Sequence, residues 1–130
     1  MTTDQFPTRE GGARVFVVDS DPAVLHSFQF AMGVGGFDVT PFPDALALLS
    51  GRTRVACDVL VVEHQLPVFT GLDLVEALKK AGEAPLTFLL ATNPNAALRR
   101  RARAADVKLI EKPILDDALT DAIRASLGAG

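Results

Sequence analysis

Four short apolar runs, each of strand length, constrain the fold of this 130-residue chain more than any other feature. They cover residues 15–18, 59–62, 86–90 and 107–110. The first three are almost unbroken, which is typical of strands buried on both faces and therefore of a parallel sheet. A fifth, weaker strand is predicted over residues 37–40.

Helical patterns separate these strands, so the chain alternates between the two kinds of element. The predicted helices cover residues 22–32, 44–49, 72–81, 95–105 and 114–127. Asp21 is placed to cap the first helix, and Pro22 suits its first turn. Because such alternation builds βαβ units with right-handed crossovers, we expect an α/β fold, a doubly wound five-stranded parallel sheet of order 2-1-3-4-5.

Composition narrows the class of protein. Apolar residues make up 48% of the chain, enough for the core of one domain, and no apolar run is long enough to span a membrane. A net charge of −3 makes nucleic acid an unlikely partner. The single cysteine, Cys57, predicts a reducing, cytoplasmic setting. The polar residues 1–12 are predicted to be a disordered tail before a domain spanning residues 13–128.

Charged and polar side chains follow the strands at their carboxyl ends, where open α/β sheets bind ligands. Asp19, Ser20 and Asp21 follow the first strand, Glu63 the third, and Lys112 the fifth. Asp19 and Glu63 belong to neighbouring strands and could share a hard cation such as Mg²⁺. The alternative is an acid–base pair that only closes the strand ends. No glycine-rich phosphate loop or nucleophile triad is evident, so no enzymatic activity is predicted.

Three motifs in order resemble the receiver domain of bacterial two-component response regulators. They are Val17-Val18-Asp19-Ser20-Asp21-Pro22, the frame Glu63-x-x-Leu66-Pro67-x-x-x-Gly71, and Glu111-Lys112-Pro113. The resemblance covers residues 13–127. It implies an aspartate after the third strand that accepts a phosphoryl group from a histidine kinase, and an acidic pair after the first strand that holds Mg²⁺. It also implies a hydroxyl residue and a lysine that grip the phosphoryl oxygens, and an aromatic switch residue in the fifth strand.

Several of these positions depart from the family pattern. Glu63 stands in place of the acceptor aspartate, Ser20 in place of the second acid, and Leu109 in place of the aromatic residue. Ala91 stands in place of the hydroxyl residue, although Thr92 follows it.

These departures predict a degenerate site, a pseudo-receiver, without ordinary aspartyl phosphorylation and with weak or absent Mg²⁺. The Glu63 carboxylate lies one bond, roughly 1.5 Å, further from the backbone than that of an aspartate. Active-site groups need placement within about 0.5 Å. Two interpretations of Glu63 stay open: a fixed mimic whose charge reaches Lys112, or a site that drifted once its switch was unused.

A basic cluster on the fourth predicted helix is the candidate partner-binding surface. It consists of Arg99, Arg100, Arg101, Arg103 and, beyond the helix, Lys108. Charges of one sign on one face attract an acidic partner. The alternatives are a solvated basic face and a site for an anionic small ligand such as a cyclic dinucleotide.

The sequence therefore predicts a signalling adaptor that works by protein–protein contact. Its expected partner is another signalling protein: a histidine kinase, a phosphotransfer protein or an output protein. Since the sequence ends three residues after Leu127, a stand-alone domain is expected, with a homodimer through the basic face as a further possibility. The alternative functions are a working phosphoacceptor response regulator and a cyclic dinucleotide-binding module.

Overall fold

A computed structural model describes residues 12–50, 56–83, 85–114 and 117–129. The five strands are β1 (Arg14–Val18), β2 (Asp38–Phe42), β3 (Val59–Glu63), β4 (Leu86–Ala91) and β5 (Lys108–Glu111). The five helices are α1 (Pro22–Val34), α2 (Ala45–Leu49), α3 (Gly71–Lys80), α4 (Ala96–Ala104) and α5 (Ala118–Ala129). The predicted disordered tail lies outside the described residues except for Gly12.

The strands form one parallel sheet in the order β2-β1-β3-β4-β5, which confirms the predicted α/β topology. β1 pairs with β2 on one side and with β3 on the other. The strand order reverses at β1, so the carboxyl ends of β1 and β3 lie side by side. None of the helices in the described ranges is both long enough and apolar enough to cross a membrane.

Helices cover both faces of the sheet and divide the core into two clusters. Phe16 and Val18 of β1 pack with residues of α2, α3 and α4, whereas Val15 and Val17 pack with residues of α1 and α5. This alternation follows from the period of two in a strand. Because helices cover both faces, the central strands are almost entirely apolar, as the sequence predicted.

Two predicted boundaries are wrong for identifiable reasons. The second strand, predicted over residues 37–40, is Asp38–Phe42 and contains Pro41. Proline is tolerated there because β2 is an edge strand. The fifth helix, predicted from residue 114, begins at Ala118. Ile114 packs against the core from the loop before the helix. Because this apolar residue continues the helical spacing in the sequence, the helix was predicted to begin there.

Candidate functional site

Glu63 and Lys112 form an ion pair at the carboxyl edge of the sheet. Glu63 is the last residue of β3, and its side chain is only 8% exposed. The Lys112 ammonium, just past β5, donates to Glu63 Oε1. Glu63 Oε2 accepts from the Gln65 backbone N–H at 3.1 Å. Both carboxylate oxygens of Glu63 are therefore held from within the chain.

Asp19 lies beside this pair and is almost completely buried. Its Oδ1 accepts from the Asp21 backbone N–H at 2.9 Å, whereas its buried Oδ2 has no hydrogen-bond partner among the described residues. Burial raises the pKa of Asp19, opposed by the Asp21 N–H and then by the charge of Lys112, while the charge of Glu63 raises the pKa further. The structure thus brings Asp19, Glu63 and Lys112 within electrostatic reach of one another, as the strand order predicted.

The other two residues after β1 contribute less to this site. Asp21 caps α1, because its side chain accepts from the Ala23 backbone N–H at 2.9 Å. Ser20 is exposed and supplies no carboxylate. Within the described ranges, no group of three or more His, Cys, Asp or Glu side chains is placed to hold a metal ion.

Gly71 fixes the position of Glu63 by allowing the start of α3 to press against the end of β3. Its backbone N–H donates to the His64 carbonyl at 2.7 Å. A Cβ at residue 71 would lie 2.3 Å from the Glu63 carbonyl oxygen and 3.0 Å from the His64 Cα. A side chain at this position would therefore collide with backbone, which explains why the predicted motif frame ends in glycine.

The two residues at the end of β4 differ in exposure. Ala91 ends the strand and is buried, while Thr92 is exposed. Thr92 lines a cavity of about 490 Å³ that also includes Lys112 and Phe28 of α1. The buried position at the strand end therefore lacks a hydroxyl group, and the hydroxyl of residue 92 lies further out, at the rim.

A protein-family model matches most of the chain. The model described as "Response regulator receiver domain" matches residues 15–124. The chain belongs to this family.

Curated relatives agree with this assignment. The chain is 30% identical over 114 residues to the response regulator protein TodT of Pseudomonas putida, covering 87% of this chain and 50% of TodT. It is 33% identical over 118 residues to the transcriptional regulatory protein FixJ of Azorhizobium caulinodans, covering 88% of this chain and 54% of FixJ. The chain thus spans about half the length of these relatives.

The fold also matches that of solved receiver domains. A CheY-like receiver domain protein from Methanospirillum hungatei superposes with a TM-score of 0.82 at 20% identity, covering 90% of this chain and 94% of that one. The BeF3-activated receiver domain of DrrB superposes with a TM-score of 0.78 at 19% identity, covering 89% and 97%. At these identities the likeness supports the fold alone.

Receiver domains are associated with Mg²⁺, but the side chains at this edge do not fit such an ion well. Asp19 offers one unpartnered carboxylate oxygen, while Glu63 has both oxygens engaged. Mg²⁺ prefers several hard oxygen ligands in octahedral geometry. With serine at residue 20 and Asp21 capping α1, Asp19 is the acidic residue after β1 that has an unpartnered buried oxygen.

The basic cluster is divided by contacts within the receiver domain. Arg101 Nη2 binds Glu76 Oε1 at 2.9 Å and Asp73 Oδ1 at 3.4 Å, both on α3. Arg99 Nη2 binds Glu111 Oε1 at 3.1 Å, whereas Arg100 and Arg103 make no ion pair with any described residue. Arg101 therefore links α4 to α3, and the assignment of these arginines to a partner-binding surface stays a prediction.

A shallow cavity of about 210 Å³ lies between α4 and β5. Arg99 and Arg103 line it together with apolar residues, namely Ala102, Val107 and Leu109. The two arginines are one helical turn apart, as the sequence spacing predicted, and Leu109 is half-buried against the core. Lys108, also predicted to bind a partner, is exposed on β5.

His64 and several acidic residues take roles that the sequence did not reveal. Burial lowers the pKa of His64, and the charge of Arg101 lowers it further, so both favour the neutral imidazole. Its buried Nδ1 has no hydrogen-bond partner among the described residues. Asp73, Glu76 and Glu111 bind Arg99 or Arg101 of α4, but no local pattern marks partners that lie 12 to 28 residues away in sequence.

Proposed function

We propose that this receiver domain acts by protein–protein contact without phosphorylation at residue 63, in a state held by the Glu63–Lys112 ion pair. The observation that carries the proposal is the engagement of both Glu63 oxygens by groups of the same chain. A carboxylate that accepts a phosphoryl group must present a free oxygen in line with the donor. Glu63 presents neither oxygen in this arrangement.

The surrounding residues also lack parts of the phosphoryl-binding apparatus. Residue 91 has no hydroxyl group, and the lysine that would grip a phosphoryl oxygen already binds Glu63. The single unpartnered carboxylate oxygen of Asp19 is a poor basis for Mg²⁺. Weak or absent Mg²⁺ binding belongs to this proposal.

The Glu63–Lys112 pair resembles the phosphorylated state only in part. A carboxylate carries about −1 and two oxygens, whereas a phosphoryl group carries about −1.5 to −2 and three acceptor oxygens. With Ala91 and Leu109 in the switch positions, no hydroxyl or aromatic side chain transmits the charge at the edge to β5. The domain is therefore fixed rather than switched.

Signalling then depends on a surface that is already formed. Arg100 and Arg103 are exposed and free of ion pairs with the described residues, and Arg99 borders the same cavity as Arg103. Guanidinium groups over an apolar floor suit an acidic segment that also carries an apolar side chain. The proposed partner is another signalling protein: a histidine kinase, a phosphotransfer protein or an output protein.

A phosphotransfer assay tests the first half of this proposal. Purified protein is incubated with radiolabelled acetyl phosphate and Mg²⁺, and we expect no stable label. Glu63→Asp alone should also stay unlabelled, because Ser20 and Ala91 are unchanged. The triple variant Glu63→Asp, Ser20→Asp, Ala91→Thr serves as a positive control and should gain label. Stable label mapped to Glu63 of the unaltered protein by mass spectrometry would instead establish a phosphoacceptor.

A capture experiment tests the second half. Native lysate is passed over the wild-type domain and over the combined variant Arg99→Ala, Arg100→Ala, Arg103→Ala, and we expect the wild type alone to retain a partner. Lys79→Ala combined with Lys80→Ala removes charge from α3 and serves as the matched control. If the arginine variant retains the same proteins as the wild type, the α4 surface is not the docking site. Calorimetry with cyclic dinucleotides examines the alternative ligand, and no heat is expected.

A further inference from the structure

A cavity between α2 and α3 shares no lining residue with the Glu63 edge of the sheet. It has a volume of about 380 Å³, and all but one of its lining residues are apolar. The lining consists of Ala45, Leu49, Phe69, Asp73, Leu74 and Ala77. Binding sites for small molecules typically enclose about 300–1,000 Å³ and are mostly apolar, with a small number of polar groups that orient the ligand. This cavity has that size and composition.

Small side chains open the space between the two helices. Ala45 begins α2 and Ala77 lies in the second turn of α3, so each contributes only a methyl group. Leu74 is buried, whereas Leu49 and Phe69 are 39% and 44% exposed. A ligand with an apolar body would cover the side chains of Leu49 and Phe69, and removing apolar area from water drives such binding.

Asp73 is the charged residue of the cavity lining, and it decides which ligand fits. The Thr70 backbone N–H and then the Thr70 hydroxyl lower the pKa of Asp73, so its carboxylate is charged at neutral pH. Its Oδ2 accepts from the Thr70 N–H at 3.1 Å, and its Oδ1 lies 3.4 Å from Arg101 Nη2. The same Arg101 nitrogen is closer to Glu76, at 2.9 Å. Because a carboxylate oxygen has two acceptor sites, each Asp73 oxygen can accept a further hydrogen bond.

The charges around the cavity favour a positively charged ligand. The dipole at the start of α3 attracts negative charge, but Asp73 already occupies the first turn and would repel an anion. Asp44, which caps α2, adds a second negative charge directly before the lining residues of that helix. The lysines of α3, Lys79 and Lys80, lie in its last turn, and Lys79 lines a separate cavity beside β4. Phe69 adds an aromatic ring, and aromatic faces attract positive charge.

The length of the cavity indicates a small molecule rather than a helix of a partner protein. Its helical lining spans residues 45–49 on α2 and 73–77 on α3, about 6 Å along each helix. A docked helix is held by apolar residues at positions i, i+4 and i+7, which extend over about 10 Å. A single ring or short aliphatic chain that carries one amino group matches the shorter length.

We propose that the cavity between α2 and α3 binds a small amine with an apolar body, with its ammonium group at Asp73 and its apolar part against Leu49 and Phe69. This inference does not rest on the proposed function, because it uses neither the Glu63–Lys112 pair nor the exposed arginines of α4. A compound of one ring and one ammonium group should bind with a dissociation constant of about 1 mM.

Three compounds that share a phenyl ring and differ in charge test the proposal. They are phenethylamine, phenethyl alcohol and hydrocinnamate, which are positive, neutral and negative at neutral pH. The isotope-labelled full chain is titrated with each compound, and its amide chemical shifts are followed by NMR. Phenethylamine should shift the signals of α2 and of residues 69–77, and should bind about threefold more tightly than the alcohol and about tenfold more tightly than hydrocinnamate. Absence of saturable shifts up to about 20 mM phenethylamine overturns the proposal, and so does equal or tighter binding of hydrocinnamate.

Two variants examine the space and the charge separately. Ala77→Leu fills the cavity and should weaken phenethylamine binding at least about tenfold. Ala97→Leu makes the same change at an exposed position of α4 and is the matched control, which should bind like the wild type. Asp73→Asn should lower the affinity for phenethylamine about threefold and leave that for the alcohol unchanged. Binding that survives Ala77→Leu, or an undiminished preference for the amine in Asp73→Asn, overturns the proposal. The amide spectra verify that each variant folds.

Discussion

The carboxyl edge of the sheet and the face of α4 both carry charged side chains, but they use them differently. At the edge, the buried Glu63 carboxylate is held by Lys112 and by a backbone N–H. On α4 the charges are exposed, and Arg100 and Arg103 have no ion-pair partner in the described chain. A buried charge must be paired within the protein, and this pairing fixes the structure around it. An exposed charge needs no such partner and remains available to a second molecule.

Replacing Gly71 by alanine should have the largest effect on this comparison, because the added methyl group displaces the end of β3 at the carboxyl edge of the sheet. The new Cβ would lie 2.3 Å from the Glu63 carbonyl oxygen, so the backbone must shift. We expect a loss of about 3 kcal/mol in the free energy of unfolding, measured by urea denaturation. Gly33→Ala, within a helix and in open space, is the control and should gain about 0.5–1 kcal/mol. Similar stability of the two variants would contradict the close approach of α3 to β3.

Removing either member of the Glu63–Lys112 ion pair should lower the free energy of unfolding, but by unequal amounts. Lys112→Met leaves the buried Glu63 carboxylate with only the Gln65 N–H, and we expect a loss of about 2 kcal/mol. Glu63→Gln leaves Lys112, whose side chain is 28% exposed and can reach water, so the loss should be about 1 kcal/mol. Urea denaturation at pH 7 measures both. The reverse order would show that Glu63 is not the buried member of the pair.

Asp19→Asn should stabilise the domain at neutral pH. Burial raises the pKa of Asp19 in the folded state above its ordinary 3.8. At pH values between the unfolded pKa and the folded pKa, the folded state therefore binds more protons than the unfolded state. Wild-type stability therefore falls as the pH rises through the folded pKa. The variant has no buried charge at residue 19, so its free energy of unfolding at pH 7 should be about 1 kcal/mol higher than that of the wild type. This figure is typical of removing a buried polar group that lacks a hydrogen-bond partner. The gain should shrink when unfolding is measured near pH 4, and a destabilised variant at pH 7 would refute this account.

Replacing the arginines of α4 by alanine should have the smallest effects on stability. The effect should be larger for Arg101, which has ion-pair partners, than for Arg100 and Arg103, which have none in the described chain. Arg101→Ala removes two exposed contacts to α3, so we expect a loss of at most about 1 kcal/mol that diminishes in about 1 M NaCl. Arg100→Ala and Arg103→Ala should change stability by less than about 0.5 kcal/mol. Thermal or urea unfolding compares the three. Equal losses would mean that Arg101 does not anchor α4.

Much of the fold is encoded in local pattern. The apolar runs at β1, β3 and β4 predicted buried strands, since period and length are properties of neighbouring residues. Right-handed crossover then limited the strand order. Asn95 and Asp106 behave as local chemistry suggests: Asn95 caps α4, and Asp106 adopts φ 59 just past its end.

The start of α5 could not be placed by such reasoning. Ile114 continues an apolar period, yet it reaches the core from a loop, and the helix begins at Ala118. Ile123, which is fully buried, anchors the helix instead. The sequence period shows which residues are apolar. Only the packed structure shows whether such a residue reaches the core from a helix or from a loop.

For the candidate site, the sequence by itself determined which residues reach the carboxyl edge: Asp19, Glu63 and Lys112 each follow a strand, and strand ends are local features. It also placed the arginines on one helix. The tertiary structure alone decided that Lys112 engages Glu63, and that Arg101 turns to α3 while Arg103 does not. Ion pairs depend on distances between atoms 25 to 49 residues apart in the chain, and those distances exist only after the sheet and helices have packed.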